Sequence, residues 1–319
     1  MKNSKPCLAA SAMLATVLAG GVLVRAGQQG QAPAQFPLSN TIRPTGQGVT
    51  AAYEGWFYNT DGTISLLIGY FNRNTKQELD VAVGPNNRIE PGGPDQGQPT
   101  RFLTGRQFGV FAIKVPKDFG AKQLTWTLVA NGQTNVIPLH IKPDWVVEPF
   151  EDAGSKNTPP VLRFKPDGPG MTGPPAGIAS TYTTTMPNPV TLTAWVTDEP
   201  PKLNVVPNQQ RGRSRGAAGT PAPPPLSITW SKYRGPGQVT FAAAKPPIDK
   251  ADGGKATTTA TFSESGDYIL RAQANDQSGD GGGGFQCCWS NAFVTVSVKP
   301  AATTNEAQGF SPARRFSQR

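Results

Sequence analysis

The 319-residue chain carries 36 glycines and 32 prolines, charged residues make up only 16%, and the formal net charge is +9. Its apolar residues come in short runs rich in Val, Ile, Phe, Trp and Tyr, a composition that suits strands and turns and argues against helices. A single histidine, His140, excludes any multi-histidine metal centre.

Lys2 and Lys5 precede CLAASAMLATVLAGGVLV (residues 7–24), and Val24-Arg25-Ala26 presents small residues where a signal peptidase reads. Residues 1–26 therefore read as a signal peptide. The run is Ala- and Gly-rich and marginal for a bilayer span, which needs about 20 strongly apolar residues. The expected mature protein is extracytoplasmic (periplasm, cell surface or secreted), with no membrane span after cleavage. Its 27 basic and 21 acidic residues leave a charge of +6. The remaining basic clusters, Arg211, Arg213 and Arg215, then Arg314, Arg315 and Arg319, sit in stretches of low hydrophobicity and read as solvated segments. An export signal precedes them and no aromatic interleaves Arg211, Arg213 and Arg215, so nucleic acid is not an expected partner.

Residues 27–48 have no apolar period and read as an extended lead-in. TAAYEGWFY and TISLLIGYF follow, joined by Asn59-Thr60-Asp61-Gly62, a hairpin signal. QELDVAV, QFGVFAIKV, QLTWTLVA and TNVIPLHI come next, the last two joined by Asn131-Gly132. Runs of this kind without a helical period predict an antiparallel β-sandwich over residues 49–143. Residues 84–100 are the one long loop of that unit. They are the first place to look for a surface site, or else a plain connection. Residues 144–160 mix prolines and charges and read as a linker.

A second unit is expected over residues 161–299. Its strands are VTLTAWVTD (190–198), LSITWSKYRGPGQVTF (226–241), ATTTATFSESGDYILRAQANDQ (256–277) and NAFVTVSV (291–298). Strict alternation implies one buried and one wet face. Trp195 and Trp230 are expected core anchors, and Tyr268 is expected at the sandwich edge with its hydroxyl bonded locally. Residues 199–225 cannot bury enough apolar surface to fold and are expected to form a disordered insertion; residues 300–319 read as a disordered tail.

These segments resemble PKD-type or REJ-type immunoglobulin-like modules. The resemblance rests on Trp230, on Gly235-Pro236-Gly237 with Val239 and Phe241, and on Ser265-Gly266-Asp267-Tyr268 with Leu270 and Ala272. It covers about a third of the chain. With the N-terminal half included, the chain is similar to exported bacterial proteins that share a Cys-Cys-Trp-Ser/Thr-Asn stretch. The resemblance implies a β-sandwich used for adhesion, spacing or protein contact, and no enzymatic activity. The expected fold class is all-β: two antiparallel, immunoglobulin-like sandwiches with disordered termini and one long disordered insertion.

Little in the sequence points to chemistry. His140 is the only possible triad base, and no Gly-x-Ser-x-Gly elbow or Cys-x-x-Cys pair accompanies it. GDGGGG (279–284) has the look of a Gly/Asp calcium loop in which Asp276 and Asp280 face a cation; the competing reading is a flexible turn. No cofactor is expected.

Once Cys7 leaves with the signal peptide, Cys287 and Cys288 are the only cysteines. Export places them where paired thiols oxidise. Neighbouring side chains of a strand point to opposite faces. Their Cα atoms, about 3.8 Å apart across a trans peptide, fall short of the usual disulfide span of about 4.4–6.8 Å. A vicinal disulfide thus needs a distorted turn, which the preceding glycines allow. That disulfide is the favoured reading, as a clasp on the last strand. The alternatives are one buried and one exposed thiol, or intermolecular pairing. The expected function is binding, adhesion or spacing in the cell envelope with a protein or glycan partner. The alternative is a carbohydrate- or peptide-binding accessory of an exported enzyme.

Overall fold

The structure, a computed structural model, describes residues 43–199, 225–276 and 287–301. The expected signal peptide, most of the 199–225 insertion, Asp280 with its glycine run, and nearly all of the C-terminal tail lie outside the described residues. No helix among the described residues is long and apolar enough to cross a membrane.

The N-terminal half contains β1 (Val49–Tyr58), β2 (Ile64–Asn72), β3 (Leu79–Asp80), β4 (Asn87–Glu90), β5 (Arg101–Phe102), β6 (Gly105–Val115), β7 (Leu124–Ala130) and β8 (Gln133–Leu139). They form two antiparallel three-stranded sheets, ordered β1-β2-β6 and β4-β7-β8, and a short β3-β5 pair. The hairpin signals act as expected. Asn131 and Gly132 both take positive φ (47° and 72°), which matches the turn to the twist of β7 and β8. Trp126, Phe102, Phe111, Leu66, Ile68 and Ile89 fill the space between the sheets.

Residues 84–100, expected as one loop, contain β4. Ile89 is fully buried there, and the Asn87 side chain replaces an apolar anchor: it donates to Val81 O and Pro99 O and accepts from Trp126 Nε1. A strand built on a buried amide and flanked by Gly and Pro leaves no apolar period to read.

The C-terminal half contains β9 (Val161–Arg163), β10 (Ile178–Thr185), β11 (Val190–Thr197), β12 (Ser227–Arg234), β13 (Val239–Phe241), β14 (Lys255–Phe262), β15 (Gly266–Asn275) and β16 (Trp289–Lys299). Two four-stranded sheets, β10-β16-β15-β12 and β13-β14-β11-β9, enclose a second core. All pairs are antiparallel except β10 with β16, which run parallel. The all-β, two-sandwich fold class stands.

Within this half, Trp230 is buried, as expected, and Tyr268 is too, its hydroxyl donating to Glu264 O (2.8 Å) and accepting from Gly237 N (3.1 Å). Trp195 is not a core anchor. Val190, Leu192, Ala194 and Val196 point inward, so the period of two turns Trp195 outward, where Lys255 Nζ lies 6.0 Å from its ring centre. The last strand begins at Trp289 instead of near Asn291, because Trp289 is already in register with Asn275.

Candidate functional site

The start of β16 lies where the two halves meet. Cys287, Cys288, Trp289, Ser290 and Asn291 are each no more than 2% exposed. The structure pairs Cys287 with Cys288 as a disulfide across a cis peptide bond, and both Sγ atoms lie against Asn157 O (3.7 and 3.4 Å).

Trp289 leaves its own sandwich and joins Phe57 of β1 and Leu67 of β2, with Phe108 and Val147 at the margin. Gly109 makes this possible. A Cβ at that position would stand 1.7 Å from the indole, and its φ of +49° is itself unfavourable for other residues. Ser290 Oγ donates to Pro160 O and accepts from Gly173 N (2.9 Å). Asn291 Nδ2 donates to Gly109 O (2.9 Å), while its Oδ1 accepts from Arg271 Nε (2.8 Å). Arg271 also reaches across, to Gln107 Oε1 (3.3 Å) and Phe108 O (3.4 Å).

Beneath this layer Glu54, its side chain 2% exposed, accepts from Arg106 Nη2 (2.6 Å) and Gly109 N (2.7 Å). Burial pushes the Glu54 carboxyl up, and the Arg106 charge with the Gly109 N–H opposes it. Satisfied on both oxygens, this buried carboxylate fixes the backbone on which Trp289 rests.

A second contact comes from the end of β12. Tyr233 donates its hydroxyl to Gly97 O, and its carbonyl accepts from Thr100 N (3.2 Å). Arg234 grips Asp95 with two nitrogens (3.0 and 2.8 Å) and Gln98 O with Nε (2.8 Å). The Arg234 guanidinium holds the Asp95 carboxyl below its ordinary value. Lys232 Nζ adds an ion pair to Asp80 (3.0 Å). The long 84–100 stretch, the first place to look for a free surface site, is thus engaged by the other half of the chain.

The calcium candidates are not brought together by anything described. Asp276 is fully buried and accepts from Asn157 Nδ2, while Asp280 lies outside the described residues. Asp198, just past β11, is pushed up to about 6 by burial and by the charge of Asp276. Among the described residues no group of three or more His, Cys, Asp or Glu could hold a metal ion. His140 Nδ1 accepts from Lys142 N (3.4 Å), and its ring meets Tyr53 and Trp145 edge-on, with neither a serine nor a carboxylate among the described residues bonded to it. Open depressions of about 550 Å³ (around Thr75–Glu78 and Arg101) and about 400 Å³ (around Leu79–Asn86 and Val129–Asn131) lie on the N-terminal sandwich, away from these groups.

Sequence reasoning missed Glu54, Gly109, Asn157, Asp198 and Arg271. Two of them left a signal: Glu54 interrupts an apolar run, and Gly109 sits inside a strand, where a glycine often marks close approach. Asn157 and Arg271 act through contacts more than 100 residues apart in sequence, and Asp198 through Asp276, 78 residues on, which no local pattern records.

No protein-family model matches the chain, and no curated protein does either. Among solved structures it is similar to the D00-D0 domain of intimin (15% identity, 78% of this chain and 98% of that one, TM-score 0.22). Domains 4 and 5 of the S-layer protein SbsC give 11% identity over 79% and 98%, TM-score 0.20. Titin domains Z1Z2 in complex with telethonin give 9% over 81% and 100%, TM-score 0.21. At these TM-scores the similarities add nothing to the strand pairing described above.

Proposed function

We propose that the protein is an exported, non-enzymatic tandem of two β-sandwiches that spaces or binds components of the cell envelope, with a protein or glycan as partner. The supporting observation is the junction: five consecutive buried residues, Cys287 to Asn291, bond to both halves and to the segment between them. Such a junction couples two modules into one unit, the property a spacer needs and a flexible enzyme tether does not. Residues 49–143 and 161–299 are the two modules, and residues 1–26 direct export.

Cys287 and Cys288 act in this reading as a clasp that fixes the entry to β16 next to Trp289. Intact mass before and after reduction tests it: a gain of two hydrogen atoms, supplied by the reductant, is expected on reduction in denaturant, and no gain would remove the clasp. The wider reading is tested by crosslinking in intact cells with fractionation. Recovery from an extracytoplasmic fraction, joined to an envelope protein or glycan, is expected; retention in the cytoplasm would end it.

A second reading, a carbohydrate- or peptide-binding accessory, is favoured by one surface feature. Trp145 is 43% exposed, stacked on Tyr53 (ring centres 5.3 Å apart), with His140 against both. An exposed indole held by such neighbours offers a face to a sugar ring or a proline. Retention on cell-wall glycan that is lost in Trp145→Ala would support this reading; equal retention of the two proteins would remove it.

A further inference from the structure

β10 is the outer strand of its sheet, joined to β16 on one side. No backbone bond is made from residues 178–184 on its other side among the described residues. Among the described residues, each other long edge carries at least one contact from outside its sheet. On β12, Trp230 N donates to Ala244 O and Tyr233 O accepts from Thr100 N. On β1, Trp56 O accepts from Val147 N. On β6, Gly109 O and Phe108 O are taken by Asn291 and Arg271. β8 contains Pro138 and lies against β1 through Asn135 and Val49 O. The remaining edges are four residues long or shorter.

Edge strands are ordinarily blunted by charge, proline or brevity. β10 reads IASTYTTT over eight residues, with no charge and no proline, and with Ile178 half exposed. In register with β16, Tyr182 and Thr184 lie beside the inward Val296 and Val298, while Thr181 and Thr183 lie beside the outward Thr295 and Ser297. The strand is therefore close to self-complementary. Antiparallel pairing centred on Tyr182 sets Thr181 opposite the partner's Thr183 on both sides of a two-fold axis, a favourable cross-strand combination with no like charges.

We propose that two copies of this chain associate by antiparallel pairing of their β10 edges, joining two four-stranded sheets into one. The occupant is a second copy and not a strand of another protein, because the threonine pattern matches itself. This goes beyond the spacer reading and does not depend on it: a monomeric protein would remove the dimer and leave the spacer standing.

Sedimentation equilibrium of the purified protein up to about 100 μM, a range that populates complexes of micromolar Kd, tests the pairing. Wild type is expected to dimerise. T181K/T183K sets like charges opposite each other and is expected to weaken the dimer about tenfold or more, whereas T181E/T183K sets opposite charges together and is expected to restore it. Unchanged thermal unfolding of both variants certifies the fold. A wild type that stays monomeric, a dimer indifferent to T181K/T183K, or a dimer that T181E/T183K fails to restore would each overturn the proposal.

Discussion

Gly109 leaves the space that Trp289 fills at the junction, since a side chain at 109 would overlap the indole. Trp289→Ala empties a site that is 1% exposed and is expected to cost about 3–5 kcal/mol. Gly109→Ala overfills the same site at positive φ and is expected to cost about 1–3 kcal/mol or more. Urea unfolding followed at constant m-value checks both. A pair of near-neutral variants would mean that the indole does not hold the halves together.

Asp198 makes a prediction with a definite sign. Burial first, then the charge of Asp276, lifts its carboxyl to about 6 in the folded protein, against an unfolded value of about 3.9. The folded state then binds the proton more tightly, so the stabilisation is full below the unfolded value and is lost as pH rises through about 6. Asp198→Asn is expected to flatten the fall in stability between about pH 4 and pH 6 and to stabilise the protein at neutral pH. Urea midpoints measured across that window decide it. Asp95 works in the opposite direction: Arg234 holds it low, so its contribution is present at neutral pH and is lost in acid.

The elements differ in how far local sequence determines them. The β7–β8 hairpin is legible because Asn-Gly can adopt the two positive φ angles that the turn requires. The alternation in β14 and β16 is legible because one face is buried and the other is wet. Where polar groups replace apolar ones the pattern fails: β4 is held by Asn87 rather than by a hydrophobic face. Trp195 shows the reverse failure, an aromatic in an apolar strand that parity nevertheless turns outward.

The 84–100 segment depends on the end of β12, which no nearby residue announces. Arg234→Ala removes the ion pair to Asp95 and the bond to Gln98 O, a loss of about 1 kcal/mol for partly exposed groups. The expected readout is about fivefold faster amide exchange confined to residues 90–100. Exchange unchanged there would show that the segment holds itself.

At the scale of the molecule, two sandwiches could be anticipated from strand runs and turn signals, but their union could not. The junction is assembled from Glu54, Gly109, Asn157, Arg271 and the Cys287–Asn291 segment, whose partners lie far apart along the chain. The cysteine pair, read from sequence as a local clasp, stands beside the residue that plugs one half into the other. This joining of the halves is the central claim, and calorimetric unfolding of the purified protein tests it most directly. A single transition with equal calorimetric and van't Hoff enthalpies is expected if the sandwiches unfold as one. Two separate transitions, each the size of one sandwich, would contradict it.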